Sequence, residues 1–287
     1  MRSLEFLEPT TLTEACSLLS KYKDEARLIS GGQSLVPILK LRLISPKYLI
    51  DLKGINALDF IRENDDCLSI GALTTEREIE TSDIIKRRFP ILAEAVHTIG
   101  SVQIRNWGTI GGSLAHADPA GDIGPVLMAL RSRVKAKSTR GEREISLEEY
   151  FTDYFESALE PDEILTEVTI PYLPSKSGGV YAKEINRVGD TGICSMAVVV
   201  SLKGNDEVKK ASIVLGCQSK TPIRAINTEE IAIGRKANDS MMELEKTIVK
   251  EVNPVADVLG SIEYKVDLVR ITIKQALPKA IIRAQAT

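Results

Sequence analysis

Short apolar runs punctuated by Gly, Pro and Asn-Asp turns set the rhythm of this chain. Residues 27–30 and 48–52 read as strands, with a short helix over 35–43 that tolerates Pro37 in its first turn. A helix capped by Thr11 or Thr13 precedes them, with Ala15, Leu18 and Leu19 on one face. Residues 58–61 and 67–70 form a hairpin around Asn64-Asp65-Asp66. Helices follow from Thr74 or Thr75 through Ile79 and over 90–96. Residues 133–137 and 143–145 read as strands around Arg140-Gly141, then a short helix over 147–151 and an alternating strand over 163–170 that stops at Pro171. Beyond residue 179 the pattern changes. Three strands, 180–186, 193–202 and 211–216, precede helices over 228–234, 240–252 and 264–284. The last carries Leu268, Ile271 and Ala276 on one face, and Pro278 is placed to kink it.

This order divides the chain. Residues 1–175 make one two-part domain, with an α/β subdomain over about 1–55 and a second over about 56–175. The Pro/Ser/Gly-rich stretch 173–179 reads as the linker to a C-terminal α+β domain over 176–287.

Composition adds exclusions. Of 287 residues, 43% are hydrophobic and 27% charged, with a net charge of −3, so neither nucleic acid nor a membrane surface is an evident partner. No apolar run approaches the ~20 residues of a membrane helix. The start has acids within its apolar part and no signal-peptide core, which points to the cytoplasm. Cys16, Cys67, Cys194 and Cys217 lack C-x-x-C spacing and read as reduced, packed thiols; His97 and His116 form no metal motif. G-x-G-x-x-G and Walker A sequences are absent.

Two glycine-rich stretches carry the candidate chemistry. One is Ser30-Gly31-Gly32-Gln33-Ser34, after Leu28-Ile29. The other is Thr109-Ile110-Gly111-Gly112-Ser113, continuing to Asp122. Paired glycines can take positive φ, and successive free N–H groups in such turns bind phosphate oxygens. Two such turns suit a ligand with linked phosphates, and Asp122 could accept from a sugar-type hydroxyl or cap the helix that follows it. If this cradle is real, Gly111→Val should abolish ligand retention with the fold intact, because a β-branched residue disfavours positive φ.

The run from Leu28 to Leu35, with Pro37 and Lys40-Leu41-Arg42, resembles the first flavin loop of the FAD-binding (medium) subunit of the molybdenum hydroxylase, or xanthine dehydrogenase, family. Gln103-Ile104-Arg105-Asn106, followed by Gly108 to Ser113 and Ala115-His116-Ala117-Asp118-Pro119, resembles its second loop. The resemblance, to the carbon monoxide dehydrogenase medium subunit in particular, spans nearly the whole chain. It implies an α+β fold: a two-part FAD-binding domain of the vanillyl-alcohol-oxidase/PCMH type, then a C-terminal α+β domain with a three-stranded antiparallel sheet and helices.

The resemblance also implies roles. Leu28, Ile29, Ser30, Gly31, Gly32, Gln33, Ser34 and Leu35 would wrap one side of FAD, and Thr109, Ile110, Gly111, Gly112 and Ser113 would hold its pyrophosphate from the other. Ile99 would pack near the cofactor, Asp122 would bind one of its hydroxyls, Leu165 would touch the adenine end and Lys183 the flavin. Gln33 stands where some flavoproteins of similar shape carry a covalently linked histidine, so FAD should be non-covalent. His116 reads as a structural residue of its loop. Relatives often have an aromatic residue after Gly189-Asp190, where this chain has Thr191.

With no catalytic pair, nucleophile or metal site of its own, the chain fits a protein whose cofactor carries the chemistry. The resemblance implies electron transfer from [2Fe-2S] clusters of a small partner subunit, beside a large molybdopterin subunit, to an external acceptor. Such heterotrimers can pair as dimers. A self-contained flavin oxidase or reductase, and a binding module that has lost its flavin, are the competing readings.

Overall fold

The computed structural model describes residues 4–287. Three strands open the chain: β1 (Glu5–Leu7), β2 (Ala26–Ile29) and β3 (Tyr48–Asp51). They form a parallel sheet in the order β1-β3-β2, with Ile50 opposite both Leu7 and Leu28. Helices α1 (Leu12–Tyr22) and α2 (Leu35–Lys40) make the crossovers that parallel pairing requires. Thr11 caps α1 by accepting from the Glu14 N–H, and Ala15, Cys16 and Leu19 are buried.

A second unit is built on the antiparallel sheet β4-β5-β10-β6-β7. Its strands are β4 (Ile61–Glu63), β5 (Cys67–Gly71), β6 (Arg133–Ser138), β7 (Gly141–Ser146) and β10 (Ile164–Pro171). The small ribbon β8 (Phe151–Asp153) with β9 (Glu156–Ser157) lies outside it. Between β5 and β6 come six helices: α3 (Glu76–Thr81), α4 (Asp83–Arg88), α5 (Pro90–His97), α6 (Val102–Arg105), α7 (Ile110–His116) and α8 (Ile123–Ala129). Thr75 closes a capping box with Glu78 at the head of α3. The second glycine stretch, expected as a turn, is the first half of α7. Its glycines are therefore helical, and Thr109 caps them by accepting from the Gly112 N–H. The short helix α9 (Leu147–Tyr150) follows β7.

The C-terminal unit has β11 (Ser177–Glu184), β12 (Cys194–Leu202) and β13 (Val208–Gly216), antiparallel in that order. A fourth strand, β14 (Ile223–Arg224), pairs with β13, where three strands were expected; two residues carry too little period to be read from sequence. Helices α10 (Ile226–Ala232), α11 (Met242–Ile248) and α12 (Ile262–Gln285) follow, and Pro278 lies inside α12. Every residue of β12 is buried. One face, including Ala197 and Val199, joins the core of the second unit, and the other, including Met196 and Val198, packs with α12 residues such as Ile273 and Leu277. A strand covered on both faces reads as the continuous run Met-Ala-Val-Val-Val.

Two expectations change here. Ile271 is half exposed, because α12 meets the sheet through Val269, Ile273, Ala276 and Ala280. Gly178 and Gly179, read as linker, lie within β11. A Cβ on Gly178 would stand 2.3 Å from the Ala280 carbonyl oxygen, so this glycine lets helix and strand touch. Among the described residues, no helix is long and apolar enough to cross a membrane, and no His, Cys, Asp and Glu cluster could hold a metal.

Candidate functional site

A cleft of about 570 Å³ runs between the three units. Every residue given a cofactor role from the sequence lines it, except Ile110. Ile110 is fully buried and points from α7 into the core, as the alternating environment of a helix that borders both cleft and core demands. Thr191, with Gly189 and Asp190, lines the cleft as well.

The first loop, between β2 and α2, is built as an anion site. Gly32 has φ +71°, the left-handed conformation that favours glycine. The chain turns there, and the Val36 N–H closes onto the Gly32 carbonyl at 3.0 Å. The backbone N–H groups of Gly31, Gly32, Gln33, Ser34 and Leu35 donate to no acceptor among the described residues. The Gln33 side chain folds back onto the Gly31 carbonyl at 2.9 Å. A row of unclaimed N–H groups at the wall of a cleft is a concavity for phosphate-type oxygens.

The second loop differs from expectation. Its N–H groups from Ile110 to Ser113 are already used. Ile110 donates to the Thr74 carbonyl at 3.1 Å, Gly111 to Ala72 at 2.9 Å, Gly112 to Thr109 Oγ1 at 3.1 Å and Ser113 to the Thr109 carbonyl at 2.9 Å. Nor do its glycines have positive φ; they are there for close approach. A Cβ on Gly111 would lie 2.6 Å from the Ala72 carbonyl oxygen, and one on Gly112 would lie 2.8 Å from Ser30 Oγ. Ser30 and Thr109 share a hydrogen bond of 3.1 Å between hydroxyls, which ties the two loops together. On the first loop, a Cβ on Gly31 would overlap the Trp107 carbonyl oxygen at 1.9 Å. Gly31 and Gly111 thus let two backbone segments meet, Gly112 makes room for the Ser30 and Thr109 hydroxyls, and hydroxyls face the cleft from the second loop.

Asp122 and Lys183, assigned separate contacts from sequence, form one buried ion pair at 2.9 Å. The Tyr181 hydroxyl donates to the other Asp122 oxygen, and Lys183 also donates to the Thr98 carbonyl at 3.3 Å. Burial pushes the Asp122 carboxyl up from the usual carboxylate range, against the pull of the Lys183 ammonium and the Tyr181 hydroxyl. Asp122 heads α8 but makes no side-chain cap, because both oxygens are turned to β11. Each oxygen keeps a lone pair for a ligand hydroxyl.

Sequence reasoning missed two charged groups beside the cleft. Glu76, the first residue of α3, is buried and lines it, with Oε2 unpartnered. Arg105, noted only as part of a motif, is buried and makes a two-pronged contact with Glu80, from Nε at 2.9 Å and from Nη2 at 3.2 Å. Its Nη1 donates to the carbonyl of cleft residue Ile99 at 2.8 Å. An arginine and a glutamate 25 positions apart give no local signal of pairing. His116 packs against Phe155, and half-exposed Trp107 lies under the Lys53 ammonium.

This geometry meets an independent comparison of the chain with known proteins. Residues 2–173 match the family described as FAD binding domain in molybdopterin dehydrogenase, and residues 180–280 match the CO dehydrogenase flavoprotein C-terminal domain. The chain belongs to the family of FAD-binding medium subunits of molybdenum hydroxylases. It is 37% identical over 286 residues to the 6-hydroxypseudooxynicotine dehydrogenase complex subunit alpha of Paenarthrobacter nicotinovorans, covering 99% of this chain and 97% of that one. It is 35% identical to the glyceraldehyde dehydrogenase medium chain of Sulfolobus acidocaldarius, covering 94% and 96%. Among solved structures, a chain of the Cu,Mo-CO dehydrogenase superposes with a TM-score of 0.94 at 31% identity, with 98% of each chain covered. The expected α+β architecture, an FAD-binding domain followed by a flavoprotein C-terminal domain, is that of the family.

Proposed function

We infer that this chain is the FAD-carrying electron-transfer subunit of a multi-subunit molybdenum hydroxylase. The observation that carries the reading is the row of five unclaimed N–H groups from Gly31 to Leu35, next to the Ser30–Thr109 hydroxyl pair, in a cleft lined by all three units. Unclaimed N–H groups in such a turn bind phosphate-type oxygens, which a diphosphate supplies. When bound, FAD supplies the redox chemistry by accepting and releasing electrons.

The protein's part is to bind and orient. The first loop binds the pyrophosphate through backbone N–H groups. Thr109 and Ser113 face it from α7. The Lys183 ammonium, held by Asp122, presents a fixed positive charge to the cleft, and Asp122 accepts from a cofactor hydroxyl. Leu165 and Ile99 give apolar contacts. Gln33 has no nucleophilic ring nitrogen, so attachment is non-covalent. Thr191 leaves more of the cleft open than an aromatic side chain would. The partners are a small subunit carrying [2Fe-2S] clusters and a large molybdopterin subunit, paired as a dimer of heterotrimers in the cytoplasm. The four cysteines support this division of labour: two are buried, two partly buried, and none is grouped for a cluster.

The visible spectrum of the purified full chain tests the reading. Flavin bands that pass to the supernatant after heat denaturation are expected. A chain that stays colourless with added FAD, alone and in its complex, would overturn it. Turnover of an organic substrate by the isolated chain would favour the self-contained oxidase instead.

A further inference from the structure

Glu76 is a buried acid that the roles above leave unused. Its position is fixed by a seam between two segments of the second unit. The Glu76 N–H donates to the Gly108 carbonyl at 2.8 Å, Ile110 donates to Thr74, and Thr75 bridges to Thr109. This seam lays the carboxyl against Gly108, where a Cβ would stand 2.7 Å from Oε2 and 2.9 Å from Cδ. The missing side chain of Gly108 is the space the carboxyl occupies. Oε2 is sealed there without a hydrogen-bond partner, which leaves Oε1 as the oxygen through which Glu76 meets the cleft.

Among the described residues, no cation forms an ion pair with it. Arg105 on α6 is committed to Glu80 and the Ile99 carbonyl, and Lys183 on β11 to Asp122 and the Thr98 carbonyl. Two charges reach it without a hydrogen bond: Asp122, which repels a second negative charge, and, to a smaller extent, Arg105, which attracts it; Tyr181 is already donating to that same aspartate. Glu80, one turn along α3, is held by Arg105, His97 and Arg77. A buried carboxylate without a partner reverts to the neutral acid, and a neutral carboxyl is a donor as well as an acceptor.

We propose that Glu76 is a cofactor-contacting residue, whose neutral carboxyl donates a hydrogen bond to an acceptor on the FAD bound in this cleft. The proposal rests on the reading of the cleft as an FAD site. It assigns to the protein a proton that must be in place for tight binding. Burial, then the charge of Asp122, push the Glu76 carboxyl up to about 7 against the smaller pull of the Arg105 guanidinium, so its protonation changes near neutral pH. Binding of FAD above that pH must therefore take up a proton.

Calorimetric titration of the flavin-stripped full chain with FAD, in two buffers of different ionisation enthalpy, measures that proton. At about pH 8 the wild type is expected to take up close to one proton per FAD, and its affinity to fall by about tenfold per pH unit above the Glu76 transition. Glu76→Gln keeps an N–H donor of similar shape and cannot ionise. It is expected to bind with little pH dependence and to lack that proton. FAD binding by the wild type with no proton uptake, or with the same uptake in E76Q, would overturn the role of Glu76 and leave the cofactor site standing. Absence of FAD binding at any pH would overturn both. Should E76Q fail to fold, wild-type binding without proton uptake still refutes the proposal. Uptake would then have to appear in the carbonyl infrared band of the Glu76 carboxyl to sustain it.

Discussion

Replacing Arg105 by methionine tests whether a buried ion pair outside the cleft holds the cleft's shape. The guanidinium lies between α6 and α3 with 5% of its side chain exposed, against 9% for Glu80. Methionine keeps the aliphatic stem and removes three contacts: two to Glu80 and one to the Ile99 carbonyl. Removing one member of a buried pair costs about 3–5 kcal/mol, because the other charge is left unmatched. His97 and Arg77 still reach Glu80 and reduce that figure, while the stranded Ile99 carbonyl adds about 1 kcal/mol. We therefore expect a loss of about 3 kcal/mol at neutral pH, read as a lower urea midpoint for the unit that contains α3 to α8. The acid side supplies an internal check. Burial alone would raise the Glu80 carboxyl, but the hydrogen bonds from Arg105, His97 and Arg77 outweigh it and hold it at about 2. Its folded-state value is depressed, so its contribution is present above the ordinary carboxylate range and is lost as pH falls from there through about 2. The difference between wild type and R105M should shrink over that window. A loss below about 1 kcal/mol at neutral pH, or one that does not shrink in acid, would refute the assignment.

The other expectations concern the loops and the Asp122 pair. Gly111→Ala, and more so Gly111→Val, should destabilise the chain by about 1–3 kcal/mol through the clash with the Ala72 backbone, so melting temperature and flavin content should fall together. Flavin loss with an unchanged melt would refute the packing argument. Gly32→Ala acts differently: its φ of +71° makes an L-residue cost about 1–2 kcal/mol. The expected readout is weaker FAD binding by fluorescence titration, and unchanged affinity would remove the first loop from the phosphate site. Lys183→Met leaves Asp122 buried without its cation and should cost about 3–5 kcal/mol in denaturant unfolding of the flavin-free chain. Adding Asp122→Asn should recover much of that loss, and a purely additive double variant would show that the pair is not coupled.

Sequence by itself determined the elements and the family. Apolar period, turn residues and capping threonines located most strands and helices, because these signals are local. Of the two candidates at each helix head, Thr11 and Thr75 are the caps. The two glycine stretches marked the cleft, because close backbone approach removes side chains and leaves glycine as the visible trace. What the glycines do was decided only by the tertiary structure. Gly32 alone among the four takes positive φ, whereas Gly31, Gly111 and Gly112 make room for Trp107, Ala72 and Ser30. Pairing of charges was equally hidden. Asp122 finds Lys183 from 61 positions away, and Arg105 finds Glu80 from 25. Burial of Glu76 depends on the seam with Gly108, which nothing near it in the chain announces. A local pattern encodes which segment folds into which element. Which polar group meets a partner, and which is left without one, depends on contacts between segments, and those exist only once the units have packed.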